Sequence, residues 1–156
     1  RKKTLLPHRL NKGLRVKLDG IMSVALAALV ANTVRMNLAV SNIANAEVLA
    51  GNENDAFKAK RAVFRTILEN EVDKKRGEVS GGVRIQEVIE DTTSHTVSFD
   101  PNHPDANEEG YVYLSNVNAM NELVEMTAAA RSFETNVEAL NTAKQLMLRT
   151  VELLKK

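Results

Sequence analysis

The sequence contains no cysteine, no tryptophan, three prolines and six aromatic side chains in 156 residues. Without cysteine there is no disulfide framework, thiol chemistry or thiolate metal site. So few aromatics leave an aliphatic, thin core, as expected of helices packed in a narrow seam rather than a thick globule. Charge of either sign is not in excess: 21 Lys and Arg nearly balance 20 Asp and Glu, so no global field draws the chain to an anionic or cationic partner. The longest apolar run, the eleven residues Ile21–Ala31, falls short of the roughly 20 needed to span a bilayer. Its basic prelude has the flavour of a signal peptide. Against that, Asp19 interrupts the approach, and only four residues precede the one small-residue cleavage pattern, Ala25-Leu26-Ala27. Enzyme motifs are missing as well: the sequence has no Gly-rich phosphate loop, no G-x-S-x-G and no H-E-x-x-H.

What the sequence does have is helical periodicity at both ends. Leu26, Leu29, Met36, Val40 and Ile43 recur at spacings of three and four, with Met22 before them and Thr33 filling one slot. That is a heptad stripe, and it predicts a helix from about Gly20 to Ala46 with Asp19 as its N-cap. Toward the C-terminus, Leu123, Ala130, Val137, Lys144 and Val151 are spaced by seven, and Met126, Phe133, Leu140, Met147 and Leu154 repeat the spacing three residues later. Neither Gly nor Pro occurs after Gly110, and Asn118 suits the capping position, so a helix over Ala119–Leu154 is predicted.

Between the helices, the runs "RAVFRTIL", "GVRIQEVI", "HTVSFD" and "GYVYLS" read as strands separated by Gly81-Gly82, "EDTTS" and "DPNHPDANEEG". The predicted fold class is mainly α with a small β insert: two long terminal heptad helices packed as a coiled coil, flanking a small antiparallel sheet. The segments are a basic N-terminal stretch (1–18), an N-terminal helix (19–47), a loop and β-rich middle (48–116) and a C-terminal helix (117–156). A two-helix seam buries few side chains at ~1.5–3 kcal/mol each, against ~1–2 kcal/mol of backbone entropy per ordered residue. Such a chain is expected to gain further burial from copies or partners.

Candidate sites are best weighed one by one. His95, Asp100, His103 and Asp105 share one loop, but their spacing matches no ordered metal motif, and solvated loop side chains are the simpler reading. No cofactor is expected. Residues 1–17 carry seven bases and no acid, and "KAKR" adds Lys58, Lys60 and Arg61. Phosphate binding would use such clusters, yet the aromatics that stack bases are nearly absent from them. Lys144 at a seam position either fixes register or lays its stem along the seam with the amine in solvent. Asn37, Ser41 and Asn45 fall at i, i+4 and i+8 as one polar ridge, and Asn42 stands three residues before Asn45. Asparagine is a poor helix former, so the ridge is either a fraying helix end or a row of contacts for neighbouring elements.

Three stretches carry a resemblance. "RMNLAVSNIANA" (Arg35–Ala46) resembles the N-terminal signature of the axial proteins of the bacterial flagellum, and "AFKAKRAVF" (Ala56–Phe64) the basic segment that follows it in rod proteins. Asp100–Thr150, with "SNVN" and "ARSFETNVEALNTAK", resembles the basal-body rod proteins of the proximal rod, FlgC type. Residues 1–20 fall outside it. The resemblance implies a self-assembling structural subunit of the drive shaft that transmits torque from rotor ring to hook. It implies export through the flagellar type III apparatus without a cleaved signal, and a place in the rod where it crosses the periplasm. Implied partners are further copies, other rod proteins, the rotor (MS) ring or its adaptor, and the export apparatus, with no nucleic acid and no direct membrane span. Residues expected at subunit interfaces are Met36, Asn37, Val40, Ser41, Asn42, Ile43 and Asn45 on the first helix. On the second they are Leu123, Met126, Phe133, Val137, Leu140, Lys144, Met147 and Val151. The competing reading is a cytoplasmic coiled-coil adaptor or regulator whose basic tail binds nucleic acid or lipid.

Overall fold

A computed structural model describes the backbone of residues 6–67 and 82–154, and side chains over 20–67 and 82–153. The basic side chains of residues 1–17 lie outside those described. Helix α1 (Leu6–Ala44) is followed by strands β1 (Leu49–Ala50), β2 (Lys60–Ile67), β3 (Gly82–Glu90), β4 (Val97–Phe99) and β5 (Tyr111–Leu114), then helix α2 (Ala119–Leu154). The helix–strands–helix order and all four expected strand runs are present. The strands form two small sheets instead of one, β1-β5-β4 and β2-β3.

The first helix starts well before the expected Gly20, at Leu6, so Asp19 sits inside it and not at its cap. Leu, Arg and Lys dominate residues 9–17. These are good helix formers, and one interior Asp costs only a few tenths of a kcal/mol. At the other end the helix tightens into i→i+3 bonds, Asn45 N–H to Asn42 O and Ala46 N–H to Ile43 O. The second helix has the expected span. Its cap is Asn118, whose Oδ1 accepts from the Asn121 N–H at 3.1 Å.

By length and composition alone, the wider stretch Gly20–Ala44 is apolar enough to cross a membrane, which the eleven-residue run did not suggest. The same stretch holds Arg35, bonded to Glu125, and Asn42, bonded to Lys60, as a helix packed on protein requires.

The chain divides into two compact units. One comprises residues 1–32, 64–84 and 131–156; the other comprises 33–63 and 85–130. In the second unit, β5 is the centre of its sheet. Leu49 pairs with Leu114 and Ala50 with Tyr113 on one side; Val97 pairs with Tyr113 and Phe99 with Tyr111 on the other. Directly opposed residues share a face. Val112 therefore points inward and is 2% exposed, while Val97, Phe99 and Tyr111 share the opposite, open face. Gly110 closes the β4–β5 loop with φ +82°, and a Cβ there would meet the Phe99 ring at 2.9 Å, so both backbone and space call for glycine.

The described core is made of small side chains: Ala25, Ala31, Ala39, Ala56, Ala59, Ala129 and Ala143 are buried. On α1 the buried residues Ala25, Asn32 and Ala39 are spaced by seven. On α2 the series is Glu122, Ala129, Asn136 and Ala143, buried except for the half-buried Asn136.

Candidate functional site

The most concentrated polar geometry in the described residues surrounds Asn42, which is 1% exposed. Its Nδ2 donates to the Lys60 carbonyl at 3.0 Å and to Glu122 Oε2 at 3.0 Å, and its Oδ1 accepts from the Lys60 N–H at 2.9 Å. The amide thus engages both backbone groups of the first residue of β2, as a neighbouring strand would. Both amide protons and one lone-pair direction are used within the chain, which makes Asn42 an internal clamp among α1, β2 and α2.

Glu122, itself buried, has two further roles to play beside Asn42: it opens the small-residue series of α2 and it faces Arg61 Nη1 at 3.5 Å. Arg61 Nε in turn bonds Asp91 Oδ2 at 3.0 Å. Asp91 also accepts from the Thr93 hydroxyl and backbone N–H through Oδ1. Those Thr93 bonds, then Arg61, hold the Asp91 carboxyl down to about 2, and Arg61 is raised chiefly by its bond to Asp91. Asn116 repeats the Asn42 device one residue earlier on the strand. Its Oδ1 accepts from the Ala59 N–H at 2.7 Å, while Nδ2 donates to the Asp91 and Thr93 carbonyls at 3.1 and 2.9 Å. Asn42 and Asn116 therefore hold Ala59 and Lys60 between them. A separate helix–helix tie joins Arg35 Nε to Glu125 Oε1 at 2.7 Å.

The remaining ridge residues part company with Asn42. Asn45 Nδ2 bonds the Ser41 carbonyl one turn back at 2.7 Å, so it closes the end of α1. Asn37 is exposed and Ser41 half-buried; Met36 and Ile43 are half-buried, and Val40 is 51% exposed. On α2, Met126, Phe133, Val137, Leu140, Met147 and Val151 are half-buried, whereas Leu123 and Lys144 are exposed. The innermost series runs one residue ahead of the Leu123–Lys144 series, so Lys144 lies on a flank and its charge needs no interior partner. His95 Nδ1 donates to the Leu114 carbonyl at 2.8 Å, and His103 Nδ1 accepts from the Asp105 N–H at 3.1 Å. No group of three potential metal ligands gathers among the described residues.

Sequence reasoning singled out Asn42 but not Lys60, Arg61, Asp91, Asn116 or Glu122 as its companions. The available signal was Glu122-Ala129-Asn136-Ala143, a seven-residue repeat of small or polar residues beside the apolar one. Hydrophobic periodicity passes over such a repeat, because alanine and asparagine do not register as an apolar stripe.

Residues 108–153, which contain Asn116, Asn118, Glu122 and most of α2, match the family model of the flagellar basal body rod FlgEFG protein C-terminal region. The flagellar basal-body rod protein FlgC of Salmonella typhimurium is 38% identical over 133 residues, covering 85% of this chain and 95% of the relative. That of Yersinia enterocolitica is 38% identical over 138 residues, covering 88% and 98%, respectively. The chain belongs to the FlgC family of flagellar basal-body rod proteins. The FlgC protein of Bacillus subtilis, 30% identical over 143 residues, covers 85% of the chain and 95% of its own length. Membership in the FlgC family makes the chain a structural rod protein, and the polar clamp a device for holding shape rather than for catalysis.

Proposed function

We propose that the chain is a building block of the proximal rod of the flagellar basal body, joined to neighbouring subunits through both terminal helices. The observation that carries this reading is the inversion of side-chain size along the helices. Alanines occupy the interior, while Ile21, Leu26, Val30, Met120, Val124 and Leu148, among others, are more than half exposed on the surface. So much large apolar surface on one chain is the mark of an interaction surface. Small residues inside let helices approach closely, and large ones outside are then free to interlock with the helices of other subunits as a coiled coil. The half-buried series Met126, Phe133, Leu140 and Met147, and the outward Asn37, Val40, Leu123 and Lys144, stand at the boundary between these contacts.

In this reading the rod crosses the periplasm and carries torque from the rotor ring to the hook. The chain reaches it through the flagellar export apparatus. Stiffness comes from many parallel seams, with the Asn42 and Asn116 clamps preventing the β elements from sliding on the helices under load. In-frame deletion of the gene in a motile host tests the proposal. Swimming should be lost, and isolated basal bodies should lack hook and filament. A deletion strain that swims normally refutes it.

A further inference from the structure

The open face of the β1-β5-β4 sheet is a surface of different character from the helices. Val97, Phe99 and Tyr111 are 49%, 63% and 39% exposed, and the Phe99 and Tyr111 rings meet edge to face with centroids 5.2 Å apart. Phe99 and Tyr111 are two of only six aromatic side chains in the sequence. The loop joining β4 and β5 borders them with Asp100, Asp105, Glu108 and Glu109, all exposed. Over residues 85–130 the sequence has nine Asp and Glu and not one Lys or Arg. The complementary composition is found in the same chain. Residues 1–17 contain seven Lys and Arg and no acid, interleaved with Leu5, Leu6, Leu10, Leu14 and Val16.

We infer that the aromatic face of β4 and β5, with its acidic rim, docks the basic N-terminal segment, residues 1–17, of a second copy of the chain. Cations of the segment meet Asp100, Asp105, Glu108 and Glu109, and its leucines cover Val97, Phe99 and Tyr111. Two different patches are joined, so the contact is heterologous and propagates from copy to copy, as rings and helical assemblies require. A polyanion such as DNA would satisfy the cations but not the leucines or the aromatic face. An anionic membrane would satisfy the segment and leave the face open. The contact goes beyond the rod reading and is tested separately from it: its failure leaves the deletion phenotype untouched.

The test uses the purified full chain in analytical ultracentrifugation, with two charge-reversed variants. K2E/K3E makes the segment less basic, and E108K/E109K reverses part of the rim. Self-association of the wild type should weaken about tenfold or more from about 0.05 to about 0.5 M salt, where the Debye length falls well below 10 Å. Each variant alone should associate about tenfold more weakly, because like charges then oppose each other in the homotypic pair. Mixing the two should restore association, since the acidic segment of one variant meets the basic rim of the other. Phe99→Ala, verified as folded by circular dichroism, should also weaken association while leaving the salt dependence in place. A wild type that stays monomeric, reversed variants that associate as well as wild type, or a mixture no stronger than its components would overturn the proposal. So would binding of the wild type to phosphatidylglycerol vesicles, unaffected by E108K/E109K, in a chain that does not self-associate.

Discussion

Replacing Asn42 with alanine removes three hydrogen bonds at once and leaves the Lys60 backbone groups and the Glu122 carboxylate short of partners. Two neutral bonds contribute ~1 kcal/mol each, and the one to a carboxylate ~1.5–3 kcal/mol. Water can reach part of the Lys60 backbone, so the expected loss is about 3 kcal/mol, a large fraction of the roughly 5–15 kcal/mol available to a folded domain. Urea denaturation followed by helical circular dichroism would read this as a lower midpoint with unchanged slope. Amide hydrogen exchange at Lys60 would speed up by about a hundredfold, at ~1.4 kcal/mol per decade. Asn42→Asp sharpens the test. The aspartate keeps shape and the acceptor for Lys60 N–H, but loses the donor and sets a second carboxylate against buried Glu122. It should be less stable than Asn42→Ala at neutral pH and recover as the pH falls and one carboxyl takes up a proton. Asn45→Ala, which loses only an amide bond to Ser41 one turn back, should cost under ~1 kcal/mol. An Asn42→Ala protein within ~0.5 kcal/mol of wild type, or an Asn42→Asp protein as stable as wild type at pH 7, would refute the clamp.

Acid should probe the neighbouring Asp91. Its folded value near 2 lies below the ordinary 3.8, so its contribution to stability is full above about 4 and is lost as pH falls toward 2; Asp91→Asn should flatten thermal stability against pH in that window. Gly110→Ala forces a Cβ into a left-handed residue against the Phe99 ring, and a loss of ~1–3 kcal/mol in denaturant titration is expected. The phase of the α2 seam is tested by Ala143→Leu, which overfills a buried site at a cost of ~1–3 kcal/mol, against Lys144→Leu, which on the exposed flank should change stability by less than ~0.5 kcal/mol. Leu140→Asp places a charge among half-buried contacts, and its incorporation into basal bodies, measured by immunoblotting, should fall well below wild type.

The order of elements was legible in the sequence because it rests on local terms. Periodicity without Gly or Pro made α2, Asn118 began it, and β-branched runs between turn residues made the strands. The start of α1 was misread because a local cap signal at Asp19 was outweighed by helix-forming residues before it. The asparagine-rich end of α1 was visible as an anomaly, but its meaning was not. Asn37, Ser41, Asn42 and Asn45 look alike in sequence. Only the arrival of β2 and α2 gives Asn42 two backbone groups and a carboxylate to bind, while Asn45 turns back on its own helix and Asn37 faces out.

The choice of innermost helix series was also beyond the reach of pattern. Leucine and methionine mark a stripe, yet in this fold alanine lies deeper, because close approach of helices depends on what is small rather than on what is greasy. Sequence by itself determined two long helices, the strands between them and, through its resemblance, the family. Tertiary structure alone decided which asparagine became the clamp, which helix face turned inward and which aromatic residues were left open. Those outcomes depend on groups more than fifteen residues apart meeting in space, and no local propensity encodes that meeting.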